Sequence, residues 1–264
     1  MLVQQSLLLN RRMDEEKESL VDFLRQQNTR QARVLGCATM WHESEAEMAA
    51  LIDSVERLDA AESRLLHASC EDAFRFELHI FFDDAFDKDG SLNAFVRQLI
   101  HLLQRRRGGE ERVELVEKCP APFGGQLVWR LAQGTRLVVY LKDRAKVRIK
   151  KRWSQLMYFA YFLGQEVLEK MESEEGGRRS SNGNSKNSAT SYFPSELART
   201  AAQHTFLLAL DGDVVFEPDA IVKLVDLMKR DAAIGAACGR IHPQVGWFSS
   251  HFLRKTIFYV TPTK

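Results

Sequence analysis

The chain has 264 residues, 45% of them hydrophobic and 28% charged, with a formal net charge of +1. That is enough apolar material for one sizeable α/β domain or two small ones without staples, and the near-zero charge gives no general reason to expect nucleic acid as a partner. The four cysteines (Cys37, Cys70, Cys119 and Cys238) are scattered and form no CxxC pair, so they read as reduced, mostly buried thiols.

Residues 1–32 read as an N-terminal helical segment, charged and partly amphipathic over 14–27. The basic pair Arg11 and Arg12 follows the first apolar patch instead of preceding it, unlike a secretory signal. Residues 33–39 form a short apolar strand. A helix start follows, with Ser44 placed to cap and Glu47 three residues on, the spacing of a capping box. Met48, Leu51, Ile52 and Val55 then recur at helical spacing on one face. A second strand over 77–82 ends abruptly in Asp83 and Asp84, and Leu92, Phe95, Val96, Leu99, Ile100 and Leu103 mark the next amphipathic helix.

Two strand-like runs, 126–131 and 136–141, flank Gln133 and Gly134 and predict a hairpin. A basic stretch over 142–152 leads into a helix over 153–171, whose aromatic run 157–162 predicts a buried face. Residues 172–191, rich in Ser, Asn, Gly and charge, predict a disordered loop. The apolar run 205–210 is a buried strand that runs straight into Asp211, Gly212 and Asp213. Pro218 then opens a helix with Ile221, Leu224, Val225 and Met228 on one face, and residues 234–239 read as a last strand. No run reaches the ~18 apolar residues that a membrane span needs, so the chain as written reads as cytosolic.

Strands alternating with helices predict an α/β fold with a mostly parallel sheet. Ligands of such sheets bind outside the carboxyl ends of the strands. Three polar clusters fall at such ends: residues 39–43, Asp83 with Asp84, and Asp211 with Asp213. The last pair could hold one divalent ion together with phosphate oxygens of a ligand, with Gly212 allowing close backbone approach; the competing reading is a solvated Asp-Gly turn. Asp83-Asp84 reads equally as a strand-end turn or cap. Trp41 suits stacking or packing, His42 has no partner at metal-ligand spacing, and Lys146, Lys150, Lys151 and Arg152 are either phosphate contacts or a solvated basic surface.

Together the blocks are more specific. Cys37-Ala-Thr-Met-Trp-His-Glu43, Glu77-Leu-His-Ile-Phe-Phe-Asp-Asp-Ala-Phe86, Gly125-Gln-Leu-Val-Trp129, Lys151-Arg-Trp-Ser-Gln155, Leu208-Ala-Leu-Asp-Gly-Asp213 and Gly235-Ala-Ala-Cys-Gly-Arg-Ile-His-Pro243 occur in one order. In that order they resemble the first half of the catalytic domain of animal-type chitin synthases, processive family-2 glycosyltransferases. The resemblance implies an incomplete GT-A (Rossmann-like) nucleotide-sugar-binding domain over residues 33–243, with residues 244–264 as an unrelated tail. It implies transfer of N-acetylglucosamine from UDP-N-acetylglucosamine to a growing chitin chain, with Mg²⁺ or Mn²⁺, at the cytosolic face of the plasma membrane through membrane segments that these residues do not include.

On the same grounds Thr39, Trp41 and Glu43 lie around the uridine. Asp84 contacts the uracil, with Asp83 the alternative, and Asp211 and Asp213 meet the diphosphate and its metal. A lysine of the 142–152 run, Lys146 by preference, binds the donor. The family's later Glu-Asp motif, which supplies the general base, and its Gln-Arg-Arg-Arg-Trp motif have no counterpart here. A truncated synthase, or a non-catalytic UDP-sugar-binding fragment or isoform, is therefore the expectation.

Overall fold

The computed structural model describes residues 32–68, 73–106, 114–121, 123–160, 204–231, 233–239 and 258–260. In chain order the elements are β1 (Ala32–Met40), α1 (Glu45–His67), β2 (Phe74–Phe82), α2 (Ala94–Arg105), β3 (Glu114–Ala121), β4 (Gly124–Arg130), β5 (Arg136–Lys142), α3 (Lys151–Ala160), β6 (Thr205–Asp211), α4 (Pro218–Arg230) and β7 (Phe258–Val260). The expected helix over 14–27 and the expected loop over 172–191 lie outside the described residues.

The described strands form one sheet of order β3-β4-β5-β2-β1-β6-β7. Its centre, β5-β2-β1-β6, is parallel, and β3, β4 and β7 add antiparallel flanks. The central strands carry near-continuous apolar runs because both their faces are covered. On one face Val34, Ile80, Val139 and Leu208 pack with Leu51 and Val55 of α1, Leu99 of α2 and Val225 of α4. On the other, Leu35, Phe81, Val138 and Leu207 pack with Tyr158 of α3. Among the described residues no helix is long and apolar enough to cross a membrane.

Local signals set the helix starts. Ser44 and Glu47 make the reciprocal capping box, Asn93 caps α2 by accepting from the Val96 N–H (2.9 Å), and Pro218 opens α4. The expected hairpin is β4-β5, and Gly134 turns it with a φ of 105°, a conformation that favours glycine. Residues 234–239 are not the strand that the sequence predicts. The segment is half exposed and holds a single bridge residue, Cys238, which is also exposed instead of buried. Its small side chains bury too little apolar surface to hold it in the sheet.

Two carboxylates lie buried where α1 meets the hairpin turn. Asp59 accepts from the N–H groups of Gln133 (2.8 Å) and Thr135 (3.0 Å), and Glu62 accepts from Thr135 Oγ1 (3.1 Å). Burial pushes the Glu62 carboxyl up to about 7, against the pull of Thr135 and Arg75. Glu62 therefore binds its proton more tightly folded than unfolded. Its contribution to stability is complete below its ordinary value of 4.5 and is lost as the pH rises through 7. That loss is on the order of 3 kcal/mol from this group. Urea unfolding at pH 5 and pH 8 is expected to show the decline in the native chain and a much shallower one in Glu62→Gln; equal slopes would contradict it.

Candidate functional site

The strand order runs outward from β1 toward β2 and β5 on one side and toward β6 on the other. This makes the β1/β6 mouth a topological switch point, where ligands of open α/β sheets bind. The register levels the strand ends there: Thr39 lies opposite both Phe81 and Asp211. The three polar clusters found in the sequence therefore share one edge.

At the mouth itself, Gly212 sits against β1. A Cβ on it would fall 2.6 Å from the Thr39 carbonyl oxygen and 2.9 Å from Glu43 Oε1, so only glycine lets the Asp211–Asp213 turn close onto β1. Glu43 Oε2 accepts from the Trp41 N–H, which folds the β1–α1 loop back toward that turn. Burial raises the Glu43 pKa, the Trp41 bond opposes this, and the charge of Asp213 adds to the rise. The Thr39 hydroxyl is buried in the same mouth with no hydrogen-bond partner among the described residues. An unmatched buried hydroxyl is costly, which points to a partner that belongs there when the site is filled.

Beside the mouth three flat rings stack. Trp41 lies on His42 with centroids 4.1 Å apart, and His42 lies on Phe95 at 4.4 Å. Trp41, at the outer end, is 55% exposed, an apolar plane offered to solvent. His42 thus acts as the middle layer of a platform and also lies 3.7 Å from Asp84 Oδ2, which accepts from Arg144 Nη1 at 3.1 Å.

The two neighbouring aspartates do different work. Asp83 is buried beneath the site: Oδ1 accepts from Lys142 Nζ (2.7 Å) and Ser154 Oγ (2.9 Å), and Oδ2 accepts from the Lys150 N–H (2.8 Å). Lys142 is fully buried; burial lowers its pKa and the Asp83 charge opposes that. Asp84 is the one of the pair whose carboxylate lies beside the ring stack, through His42. Among the lysines, Lys146 pairs with Asp143 (2.8 Å), the residue that follows β5, whereas Lys151 Nζ contacts Asp211 Oδ1. Sequence reasoning had Lys142 and Arg144 only as members of the 142–152 run, with no aspartate partner for either, and gave Ser154 no role of its own. The signal available for Lys142 was a lone charge ending an apolar strand run.

Helix α1 braces the turn from below. The Ser54 hydroxyl accepts from the Phe216 N–H (3.2 Å), and Arg57 donates to the Phe216 carbonyl (3.1 Å). The chain leaving Asp213 is thereby pinned at both polar atoms of one peptide residue. Among the described residues no group of three or more His, Cys, Asp or Glu side chains converges as a metal cluster. Asp211 and Asp213 do offer hard oxygen donors of the kind that Mg²⁺ and Mn²⁺ share with phosphate oxygens. The residues present fit such an ion when a ligand completes the set.

Sheet, switch point and acidic turn define a Rossmann-like fragment of GT-A type. No family model matches the chain. It is 34% identical over 226 residues to chitin synthase chs-2 of Caenorhabditis elegans, 37% identical over 227 residues to chitin synthase chs-1 of the same nematode, and 34% identical over 222 residues to a chitin synthase of Meloidogyne artiellia. These matches cover 80%, 81% and 80% of this chain but only 12%, 16% and 11% of the relatives. The chain is thus related, over four fifths of its length, to a segment of the animal-type chitin synthases.

Proposed function

We propose that this segment holds the donor of a chitin synthase reaction, binding the UDP end of UDP-N-acetylglucosamine at the β1/β6 mouth with Mg²⁺ or Mn²⁺. The observation that carries the reading is the Asp211–Asp213 turn closed onto β1 beside an unmatched Thr39 hydroxyl and an exposed Trp41 plane. Trp41 offers its face to the uracil, and Thr39 and Asp84 supply hydrogen-bonding groups at its rim. Asp211 and Asp213 hold the cation. Lys151, already at Asp211, takes the place of the donor-binding lysine that sequence reasoning gave to Lys146.

A divalent ion, when bound, neutralises charge on a departing diphosphate. The chain's own part is to fix the carboxylates on a braced turn, where charge stabilisation costs little reorganisation. In a longer chitin synthase the acceptor would be the growing chitin chain, at the cytosolic side of a membrane.

Nucleotide selectivity tests the reading. In Mn²⁺, UDP and UDP-N-acetylglucosamine are expected to displace a fluorescent UDP analogue from the chain at least tenfold better than ADP or GDP. Equal displacement by all nucleotides would reduce the site to a general anion site and contradict the assignment.

A further inference from the structure

Lys151 is the first residue of α3, and its ammonium sits on Asp211, one of the two carboxylates assigned to the cation. The helix does not favour it there. The first turn of α3 has no acidic residue, and cationic side chains at the positive end of a helix dipole are repelled. The backbone around it is tied down: the Lys150 N–H and the Ser154 hydroxyl both donate to buried Asp83, and the Ser154 N–H donates to the Lys150 carbonyl at 2.9 Å. The Lys151 side chain, about half exposed, is the part left free to swing.

One carboxylate cannot serve an ammonium and a dication equally, because the two cations repel. A divalent ion arriving alone must displace Lys151 into solvent. A diphosphate arriving with it gives the displaced ammonium a new anionic partner.

We infer that Lys151 is a stand-in counter-ion for Asp211, which holds the site closed to a lone cation and couples cation binding to diphosphate binding. The inference rests on the assignment of Asp211 and Asp213 as the cation-holding pair. The coupling is reciprocal: UDP tightens the cation by the same factor as the cation tightens UDP.

The test is a titration of Mn²⁺ into the 264-residue chain, following free Mn²⁺ by electron paramagnetic resonance, with and without UDP and corrected for the Mn²⁺–UDP complex formed in solution. Lys151→Gln is expected to bind Mn²⁺ alone about three- to tenfold more tightly than the native chain and to show a UDP-induced tightening smaller by at least about that factor, the remainder coming from phosphate oxygens that meet the ion directly. Lys151→Arg keeps the native pattern, and so does Lys146→Gln, whose lysine pairs elsewhere. If Asp213→Asn removes Mn²⁺ binding yet Lys151→Gln leaves the lone-cation affinity unchanged or weaker, the counter-ion role is overturned and the cation site stands. If Asp213→Asn leaves Mn²⁺ binding untouched, the cation assignment falls and the inference falls with it.

Discussion

Replacing Asp83 by alanine is expected to destabilise the chain by about 3–5 kcal/mol, the cost of stripping a buried ion of its partner. Lys142 is fully buried, and Asp83 is the acceptor of its 2.7 Å bond. Without the carboxylate, the ammonium keeps only the Ser154 hydroxyl at 2.8 Å, and the Lys150 N–H loses its acceptor at the start of α3. The reverse change, Lys142→Met, is expected to cost less. Asp83 would still accept from Ser154 and Lys150, and a methionine side chain fills the apolar path of the lysine stem. In the double-mutant cycle the two changes couple strongly, because the second removes the charge that the first left unpaired. Urea unfolding of the four proteins measures this. A loss below about 1 kcal/mol in Asp83→Ala would mean that the pair is solvated, as surface pairs are.

The second large effect is on binding. Asp211→Asn is expected to weaken UDP binding in Mn²⁺ by at least about tenfold while leaving the fold nearly unchanged. The stability cost is small because the partner of Asp211 is the half-exposed Lys151, and ion pairs of that kind contribute about 0–1 kcal/mol. The binding cost is large because asparagine keeps the shape but not the charge that a hard cation needs. Fluorescence displacement and urea unfolding on the same preparation separate the two. A variant that binds normally, or one that unfolds with the severity of Asp83→Ala, would contradict the placing of Asp211 at the ligand.

Much of this architecture was legible in the sequence where one local signal sufficed. The Ser44–Glu47 box, the Pro218 start and the Gln133–Gly134 turn each fix an element through a few adjacent residues. The buried runs over 33–39, 77–82 and 205–210 became central strands because strands covered on both faces must be apolar throughout. The edge was not legible. β3 contains Glu114, Glu117, Lys118 and Pro120, a composition that reads as loop, yet it pairs with β4 alone among the described residues, where proline is tolerated. β7 lies in residues 244–264, which the sequence reading took as an unrelated tail, and it pairs antiparallel with β6.

Within the site, the strand-end clusters were legible but their division of labour was not. Asp83 and Asp84 are chemically the same and adjacent, and only the bend that follows β2 sends one toward Lys142 and the other toward Arg144. Which aspartate each lysine meets depends on where α3 begins. Lys146 lies in the loop before it and turns onto Asp143, while Lys151 is carried by the first turn to Asp211, 60 positions further along the chain. No pattern confined to the basic run contains that information.

The central claim is that the Asp211–Asp213 turn is a cation-dependent nucleotide-sugar site. Calorimetric titration of UDP-N-acetylglucosamine into the 264-residue chain, once in Mn²⁺ and once in EDTA, tests it most directly. Saturable binding in Mn²⁺ that disappears in EDTA and in Asp213→Asn is the predicted result; binding that is absent in Mn²⁺, or that survives unchanged in EDTA and in Asp213→Asn, would contradict it.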